Sequence, residues 1–322
     1  MNSFGNKFRI TTYGESHSTL IGLVVEGVPA GIKLDLDKIK NDLTQRHSGD
    51  VGTTKRQETD NFEITSGIFN GFTTGSAIHI QVKNNDVVSQ DYEKFKKHFR
   101  PSHADFVAHV KYNGFNDHRG GGIFSGRLTV LLVIAGGIAK QLMPFEFSSE
   151  LVSVGQCSDL TQLDQYLSLI KQQKDSVGGV VKVKVNKVPA GLGNPPFARL
   201  DGLLSMMVMS IPGVKAVSIG EGFNANLMLG SEFNDLIVDA SGKTLTNNAG
   251  GIVGGISNGN EIVLYAKFKP TSSIQKPQAT FNFETNKIEE LAIKGRHDVA
   301  YIRRSKIIVE SVVAIVLANL YL

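Results

Sequence analysis

Residues 124–143 read FSGRLTVLLVIAGGIAKQLM and are apolar on nearly every side of a helix. Residues 307–320, IIVESVVAIVLANL, have the same character. A helix that is hydrophobic all round is buried, so both segments predict helices enclosed within the protein. The first segment carries Arg127, and an uncompensated guanidinium in a core costs several kcal/mol. We therefore expect an anionic partner beside Arg127.

Two regular patterns follow further along the chain. Residues 180–185, VVKVKV, alternate between apolar and charged side chains, which predicts an antiparallel or edge strand with one solvated face. Apolar residues recur at three- and four-residue spacing over 160–170, which predicts an amphipathic helix that ends before Gly178 and Gly179.

A short internal sequence repeat suggests that a strand-turn-helix unit is duplicated. LVVEGVPAG (23–31) and VKVNKVPAG (183–191) each place a strand-like run before the same VPAG turn and ahead of a helical pattern. No linker or low-complexity segment divides the sequence. We expect one domain over residues 1–322, with pseudo-symmetric halves.

The composition is that of an ordinary globular protein of 322 residues with a net charge of +4. Its one cysteine, Cys157, excludes an internal disulfide framework and fits a reducing compartment. No apolar run reaches the roughly 18 to 20 residues that span a bilayer, and the first residues lack the apolar core of a secretory signal. We expect a cytoplasmic protein without a membrane span.

The segment GESHS, residues 14–18, is close to the nucleophile elbow G-x-S-x-G of serine hydrolases. The elbow needs a strand-to-helix turn, whereas TLIGLVVEGV after Ser18 predicts a strand. A polar turn is the simpler interpretation, and His17 then becomes a candidate acid or base on a loop.

The segment KFKKHFRPSHADF, residues 94–106, mixes basic and aromatic side chains. Such a mixture can mark a groove for single-stranded nucleic acid, or simply a solvated basic surface. Arg100 and His103 are held close on a proline turn, and this pair suits a phosphate ester. A nucleic-acid groove would need several such clusters, so we expect no nucleic-acid partner.

Glycine-rich and hydroxyl-rich segments predict sites for an anionic ligand. RGGGIFSGR (119–127) and AGGIVGG (249–255) let a ligand approach the backbone, and FKPTSSI (268–274) supplies a lysine and three hydroxyls. Neither a dinucleotide fingerprint nor a P-loop is present. GRHD (295–298) could suggest a metal, but the eight histidines match no zinc spacing, and we expect no metal site.

Taken in order, these motifs resemble the chorismate synthase family from about Phe8 to Leu317. The matching segments are TTYGESH (11–17), TTKRQETDNFEITSGIFNGFTTG (53–75), FRPSHADF (99–106), KYNGFNDHRGGG (111–122), VPAGLG (188–193), NNAGGIVGGIS (247–257), KPTSSI (269–274) and GRHD (295–298). Each segment alone is a weak signal, whereas eight in order indicate common descent.

The resemblance implies an α+β fold, a β-α-β sandwich with helices enclosed between antiparallel sheets. It implies a carbon–oxygen lyase of the shikimate pathway, on the route to the aromatic amino acids, that converts 5-enolpyruvylshikimate 3-phosphate to chorismate and phosphate by 1,4-anti elimination. Reduced FMN is required although there is no net redox change. A homotetramer is also implied, with NADPH or a separate flavin reductase as the source of reduced flavin.

The resemblance also assigns roles to residues of this chain. His17 would protonate or hydrogen-bond the reduced flavin, with Ser16 in a proton relay, and His103 would act as acid for the departing phosphate. Asp298 would help to remove the C6 hydrogen. Flavin contacts map to Ser125, which also belongs to the catalytic set, and to Gly254, Lys269, Pro270, Thr271, Ser272, Ser273 and Arg296. The substrate anions map to Arg46, Arg100 and Arg127, which would give Arg127 its anionic partner.

Several positions depart from the family pattern. A glycine is replaced by Ser18, an arginine and a serine by Ile123 and Phe124, an arginine and a proline by His47 and Ser48, and a further arginine by Val51. These changes predict an altered flavin face and weaker binding of anions. They leave open an alternative function, in which a diverged member of weak or no activity still binds FMN or a phosphorylated shikimate compound.

Overall fold

The computed structural model describes residues 2–47, 51–53, 60–85, 90–293 and 297–322. Fifteen strands are found in these residues: β1 Ser3–Phe4, β2 Arg9–Gly14, β3 Leu20–Glu26, β4 Phe62–Ser66, β5 Ile68–Phe69, β6 Phe72–Thr73, β7 Ile78–Lys83, β8 Glu146–Val154, β9 Gly179–Asn186, β10 Val214–Ile219, β11 Ile252–Val253, β12 Ile256–Ser257, β13 Ile262–Phe268, β14 Gln278–Asn282 and β15 Lys287–Leu291.

Seven α-helices lie in the same residues: α1 Leu36–Arg46, α2 Asp105–Lys111, α3 Thr129–Lys140, α4 Leu163–Gln172, α5 Leu200–Met209, α6 Gly230–Phe233 and α7 Lys306–Tyr321. Six short 3-10 segments accompany them: Gln90–Lys96, Arg119–Phe124, Gly126–Leu128, Leu160–Gln162, Gly222–Leu227 and Tyr301–Arg304. No helix of the described residues is long and apolar enough to cross a bilayer.

The strands form two main antiparallel sheets. The first has the order β1-β2-β3-β7-β4 and the second the order β10-β13-β9-β8. Three two-stranded hairpins, β5-β6, β11-β12 and β14-β15, complete the described pairing. The prediction of antiparallel sheets is confirmed.

Helices α3 and α7 lie between the two sheets. Helix α3 packs on β3 of the first sheet, and α7 packs on β8 and β9 of the second. The two helices contact each other along the centre, where their apolar side chains are almost completely buried. The predicted β-α-β sandwich is therefore confirmed, because only elements that are apolar all round can occupy a layer covered on both sides.

The ends of the first central helix differ from the sequence prediction. The helix begins at Thr129 rather than near residue 124, because Gly120, Gly121 and Gly122 all have positive φ and Ser125 is extended. Arg127 thus lies in a tight 3-10 turn at the entrance to α3. The C-terminal prediction of 307–320 differs from α7 by one residue at each end.

The two regular patterns were predicted nearly correctly. Strand β9 covers residues 180–185, its side chains alternate between buried and partly exposed, and its pairing is antiparallel. It lies between β8 and β13 rather than at an edge. The 160–170 pattern forms a 3-10 turn followed by α4, which ends at Gln172, before the two glycines.

The repeated VPAG sequence forms the same local structure in both halves of the chain. In the first half, Gly31 N–H donates to Thr73 O at 2.8 Å, and Thr73 Oγ1 donates to the carbonyl of the turn's proline at 2.6 Å. In the second half, Gly191 N–H donates to Ser257 O at 2.9 Å, and Ser257 Oγ donates to the corresponding proline carbonyl at 2.6 Å. The same hydrogen bonds therefore join each VPAG turn to a short hairpin, as pseudo-symmetric halves require.

The close contact between the central helices leads to a stability prediction. A Cβ atom added to Gly136 of α3 would lie 2.3 Å from Ser311 Cβ and 2.5 Å from Ser311 Cα on α7. Since backbone must move to accept it, we expect Gly136→Ala to lower the free energy of unfolding by at least about 1–3 kcal/mol. Gly202→Ala, on the exposed side of α5, is the matched control and should raise it by about 0.5–1 kcal/mol. Urea unfolding of both variants measures this, and an unchanged Gly136→Ala midpoint would contradict the packing described.

Candidate active site

A cavity of about 910 Å³ opens at one end of the sandwich. Its lining comes from the end of α1, the loop before α2, the segment 119–128, the end of α5, the loop after β13 and the segment before α7. Ligand sites in proteins commonly measure about 300–1,000 Å³, so this cavity is at the upper end of that range. It can hold a large ligand, or two smaller ones side by side.

A loop of three glycines separates the cavity from His17. Gly120 lines the cavity, and His17 and Ser16 lie behind it, since a Cβ on Gly120 would be 2.6 Å from the His17 ring and from Ser16 Oγ. The His17 side chain is buried and meets the ring of Tyr92 edge to face at 5.1 Å. Ser16 N–H donates to Gly122 O at 3.3 Å. The structure thus places His17 and Ser16 next to the lining but not in it.

This arrangement gives a local prediction. We expect Gly120→Ala to displace the His17 ring, because Gly120 has a φ of +57° and its Cβ would overlap that ring. Gly31→Ala is the matched control, since its φ is +83° but a Cβ there would meet no atom within 4 Å. Both variants should lose about 1 kcal/mol of stability from backbone strain, and only Gly120→Ala should lose more through the overlap and also weaken FMN binding. Equal FMN affinity in the two variants would contradict the placement of His17 beneath Gly120.

One buried carboxylate holds Arg100 and His103 together. Asp105 accepts from Arg100 Nε at 2.7 Å and from Arg100 Nη2 at 2.8 Å. It also accepts from His103 Nδ1 at 2.6 Å. Arg100 is 5% exposed, and its guanidinium lies over the Phe95 ring at 4.6 Å. The proline turn therefore brings the pair together as the sequence predicts, with Asp105 as an added partner.

The ionisation of these groups follows from their surroundings. Burial lowers the pKa of His103 below its ordinary value, and Arg100 and Lys269 act in the same direction, whereas Asp105 opposes them. Burial acts to raise the pKa of Asp105, but hydrogen bonds from Arg100 and His103 hold it well below its usual range. Asp105 is thus a carboxylate at neutral pH, and it accepts hydrogen bonds only.

A second buried carboxylate, Asp60, binds the other two predicted arginines. It accepts from Arg46 Nη1 at 2.6 Å and from Arg127 Nη1, and His47 Nε2 lies 3.5 Å away. Burial acts to raise the pKa of Asp60, but Arg46 and Arg127 lower it overall. The expected anionic partner of Arg127 is therefore present in the chain itself, where the resemblance had suggested the substrate.

The loop after β13 forms part of the cavity wall. Lys269 Nζ donates to Ser102 O at 2.9 Å and contacts Ser272 Oγ. Ser273 Oγ accepts from Arg100 Nη1 at 3.0 Å. Thr271 Oγ1 is buried and has no hydrogen-bond partner in the described part of the chain. The predicted flavin segment, residues 269–273, is thus brought to the same cavity as Arg100 and His103.

The segment before α7 also lines the cavity. Asp298 and His297 line it, followed by Tyr301 and Arg304. The Arg304 guanidinium lies 5.5 Å from the Tyr301 ring centre. Within the described residues, Tyr301 OH and Arg304 Nε are buried without a hydrogen-bond partner. Arg296, a predicted flavin contact, lies outside the residues that the structure describes.

The remaining predicted residues divide into two groups. Ser125 lines the cavity, and its Oγ accepts from Arg127 N–H at 3.2 Å. Gly254 lies in the β11-β12 hairpin and is not among the residues of the cavity wall. Sequence reasoning missed Asp60 and Asp105, although the aspartate in RPSHAD, two residues after the histidine, was an available signal.

The departures from the family pattern have different structural consequences. Ser18 turns its hydroxyl to the backbone of its own loop, where Oγ lies 2.8 Å from Glu15 O and 2.7 Å from Leu20 O and can donate its one hydrogen to either. It does not belong to the cavity lining. Ile123 and Phe124 do line the cavity, where they are 41% and 38% exposed. The cavity thus has an apolar surface where the family pattern has an arginine and a serine.

The structure also tests two other interpretations of the motifs, a serine-hydrolase elbow at residues 14–18 and a nucleic-acid groove at residues 94–106. Ser16 lies between β2 and β3, so GESHS is not a strand-to-helix elbow. In the basic segment 94–106, Arg100 is buried and paired with Asp105, whereas Lys94 is exposed and its Nζ donates to Ala292 O at 3.0 Å. Among the residues the structure describes, no group of three His, Cys, Asp or Glu side chains could hold a metal ion.

Comparison with known proteins identifies the group to which this arrangement belongs. The family model described as chorismate synthase matches residues 8–322. The chain belongs to the chorismate synthase family. A chorismate synthase of Chitinophaga pinensis is 46% identical over 322 residues, covering 100% of this chain and 97% of that protein. One of Archaeoglobus fulgidus is 43% identical, covering 99% and 96%.

A solved structure supports the same assignment. The chain resembles a crystal structure of chorismate synthase with a TM-score of 0.76 and 26% identity, covering 98% of this chain and 92% of that chain. The two relatives match this chain in sequence, and the crystal structure matches it in fold, along nearly its whole length. The predicted α+β fold is confirmed.

Proposed function

We propose that this protein is a lyase of the shikimate pathway, a chorismate synthase that eliminates phosphate from 5-enolpyruvylshikimate 3-phosphate. The observation that carries the proposal is the hydrogen-bonded group of buried Arg100 and Asp105 with the accessible His103, at a cavity that Arg46 and Arg127 also line. Histidine is suited to protonate a leaving oxygen, and arginines to bind the substrate's phosphate and carboxylates. Membership of the family supports this reaction over the alternative of an inactive binder.

The residues of the cavity fit a reduced FMN. Two buried hydroxyl oxygens, Thr271 Oγ1 and Tyr301 OH, have no hydrogen-bond partner in the described residues and could meet the polar edge of a ligand. Lys269 and Arg304 offer positive charge, and Gly120 lets a ligand approach the backbone. When bound, reduced FMN supplies electron density transiently to the substrate and is recovered unchanged.

Different residues of the chain carry out the two proton transfers of the reaction. His103 holds a proton at Nε2 for the phosphate oxygen as the C3–O bond breaks and the electron pair leaves with phosphate. Asp298 assists loss of the C6 hydrogen as a proton, so that the new double bond balances the electrons lost with phosphate. His17, supported by Ser16, would provide a proton behind the glycine loop, and Ser125 would contribute from the cavity side.

The anions of the substrate require the positive charge of this site. Arg46 and Arg127 share one carboxylate, Asp60, so the group of three retains one net positive charge. Arg100 and His103 share Asp105, and that group carries a net positive charge only when the imidazole of His103 is protonated. Placing a highly charged substrate beside an anionic flavin would otherwise be prohibitive.

Several finer properties also belong to the proposal. We expect a cytoplasmic homotetramer that uses reduced FMN, supplied by its own NADPH-dependent reduction or by a separate reductase.

Segment 223–245 exposes large apolar side chains, with Leu227 81%, Ile237 72% and Leu245 70% exposed, which supports burial against other subunits of the proposed tetramer. Light scattering measures the molar mass in solution. A monomeric mass at micromolar concentration would contradict the proposed tetramer.

A growth experiment separates the enzyme from the inactive binder. The chain is expressed in a bacterial strain that lacks its own chorismate synthase and therefore needs aromatic amino acids. We expect the wild-type chain to restore growth without them, and Asp298→Asn at equal expression to fail. Absence of growth with a soluble, FMN-binding wild-type protein would favour the alternative function.

A further inference from the structure

We propose that Asp105 is a positioning residue for His103: its buried carboxylate orients the imidazole, and Arg100 is the anchor of that carboxylate. The proposal rests on the function proposed above for its kinetic consequences, whereas the orientation itself follows from the contacts. The family resemblance assigned no role to Asp105 and placed Arg100 with the substrate.

The carboxylate is fixed at both oxygens. Oδ1 accepts from His103 Nδ1 at 2.6 Å and from Arg100 Nη2 at 2.8 Å. Oδ2 accepts from Arg100 Nε at 2.7 Å and from Arg100 N–H at 3.2 Å. The side chains of Asp105 and Arg100 are each 4% exposed, against 21% for His103. Only the imidazole of this group is therefore substantially accessible from the cavity.

The hydrogen bond from His103 determines which ring nitrogen can do chemistry. An ionised carboxylate only accepts, so Nδ1 must carry a hydrogen. Nε2 is then the nitrogen that gains or loses a proton, and it lies on the side of the ring away from Asp105. This is the arrangement that a proton donor to a phosphate oxygen needs.

Arg100 is committed mainly to this support. Three of the five N–H groups of its guanidinium are engaged, two by Asp105 and one by Ser273 Oγ. Its plane covers the Phe95 ring at 4.6 Å. Arg100 therefore anchors the Asp105 carboxylate directly, from a position in the cavity wall where it can also contact a substrate.

The charged groups that face His103 determine in which direction its pKa changes when Asp105 is replaced. These are Asp105 on the same turn, Arg100 before it and Lys269 from the loop after β13. Asp105 alone favours the imidazolium, whereas burial and the two cations oppose it. Asp105→Asn keeps the shape of the side chain and removes its charge, so the His103 pKa should fall further below its ordinary value.

The test measures both the titration of His103 and the reaction. Carbethoxylation by diethyl pyrocarbonate is followed against pH, with His103 identified by peptide mass, in the wild type and in Asp105→Asn. We expect the midpoint for His103 to fall by about one pH unit in the variant. We also expect kcat for phosphate release at pH 7.5 to fall about 10- to 100-fold, with KM changed by less than about 3-fold and the optimum moved to lower pH.

Asp201→Asn is the matched control. Asp201 also pairs with an arginine, accepting from Arg199 Nε at 2.9 Å, but outside the cavity lining. It should leave the His103 midpoint and kcat unchanged. A wild-type midpoint and pH profile in Asp105→Asn would overturn the proposal.

A second variant covers the case in which Asp105→Asn does not fold. Asp105→Glu keeps the charge but moves it by one methylene, so the midpoint should stay near that of the wild type while kcat falls at least about 10-fold. Unchanged kcat in Asp105→Glu would overturn the positioning role. If the wild type itself does not release phosphate, the proposed function fails, but a shifted midpoint in Asp105→Asn would still establish the coupling of Asp105 to His103.

Discussion

Replacement of His103 by alanine is expected to lower kcat for phosphate release by at least about 100-fold. His103 is the accessible member of the group that it forms with Arg100 and Asp105, and it lines the cavity. Acid assistance by one positioned histidine commonly contributes about 10² to 10⁴ in rate. Initial rates with saturating substrate and reduced FMN measure the effect, and thermal unfolding shows that the variant is folded.

The histidine control for this experiment lies outside the cavity. His79 bonds to Tyr13 OH at 2.6 Å on the first sheet, and His79→Ala should retain wild-type kcat. Full activity in His103→Ala would remove His103 from the mechanism. Restoration of the lost rate by added imidazole would support its role as the proton donor.

Replacement of Asp60 by asparagine is expected to have the largest effect on stability. Asp60 is 3% exposed and compensates both Arg46 and Arg127, so its loss leaves two buried guanidinium groups facing each other. Removing one partner of a buried ion pair costs about 3–5 kcal/mol. Urea unfolding at pH 7 should show a loss of this size.

An exposed ion pair provides the comparison. Glu26 lies 3.7 Å from Arg9, and both side chains are about half exposed. Glu26→Gln should change the free energy of unfolding by less than about 0.5–1 kcal/mol. Equal and small effects of Asp60→Asn and Glu26→Gln would show that Asp60 does not hold the arginines as described.

The pH dependence of stability gives an independent check on Asp60. Its pKa is lower in the folded chain than in the unfolded chain, so its ionisation stabilises the fold above the ordinary aspartate pKa of about 3.9. That contribution is lost as the pH falls from about 4 through the lower folded-state value. The stability difference between wild type and Asp60→Asn should therefore shrink below about pH 4. A difference that stays constant down to pH 3 would contradict the assignment.

The central helices could be predicted because their signal is local. Continuous apolar character in 124–143 and 307–320 requires burial on all sides, whatever the neighbours are. The start of α3 could not be placed in the same way, because Arg127 and Ser125 belong to a turn that depends on the positive φ of the preceding glycines. At Gly120 a side chain would overlap His17, a residue distant in sequence, so the local pattern alone does not reveal this constraint.

In the candidate site, too, contacts between residues close in sequence could be predicted, whereas contacts between distant segments could not. Arg100 and His103 are close in sequence, so their meeting could be predicted from a proline turn. The sharing of Asp60 by Arg46 and Arg127 joins three separate segments, and nothing in the local pattern of any one segment indicates it. The requirement for an anion beside Arg127 was predictable from the cost of burying its charge, but not the identity of that anion.

The direct test of the central claim is anaerobic turnover of 5-enolpyruvylshikimate 3-phosphate with chemically reduced FMN. We expect phosphate and chorismate to appear in equal amounts, many times over the amount of flavin, and oxidised FMN to give none. We also expect His103→Ala, folded and FMN-binding, to be slowed by at least about 100-fold. A folded wild-type protein that binds FMN and substrate but releases neither product would contradict the proposed function.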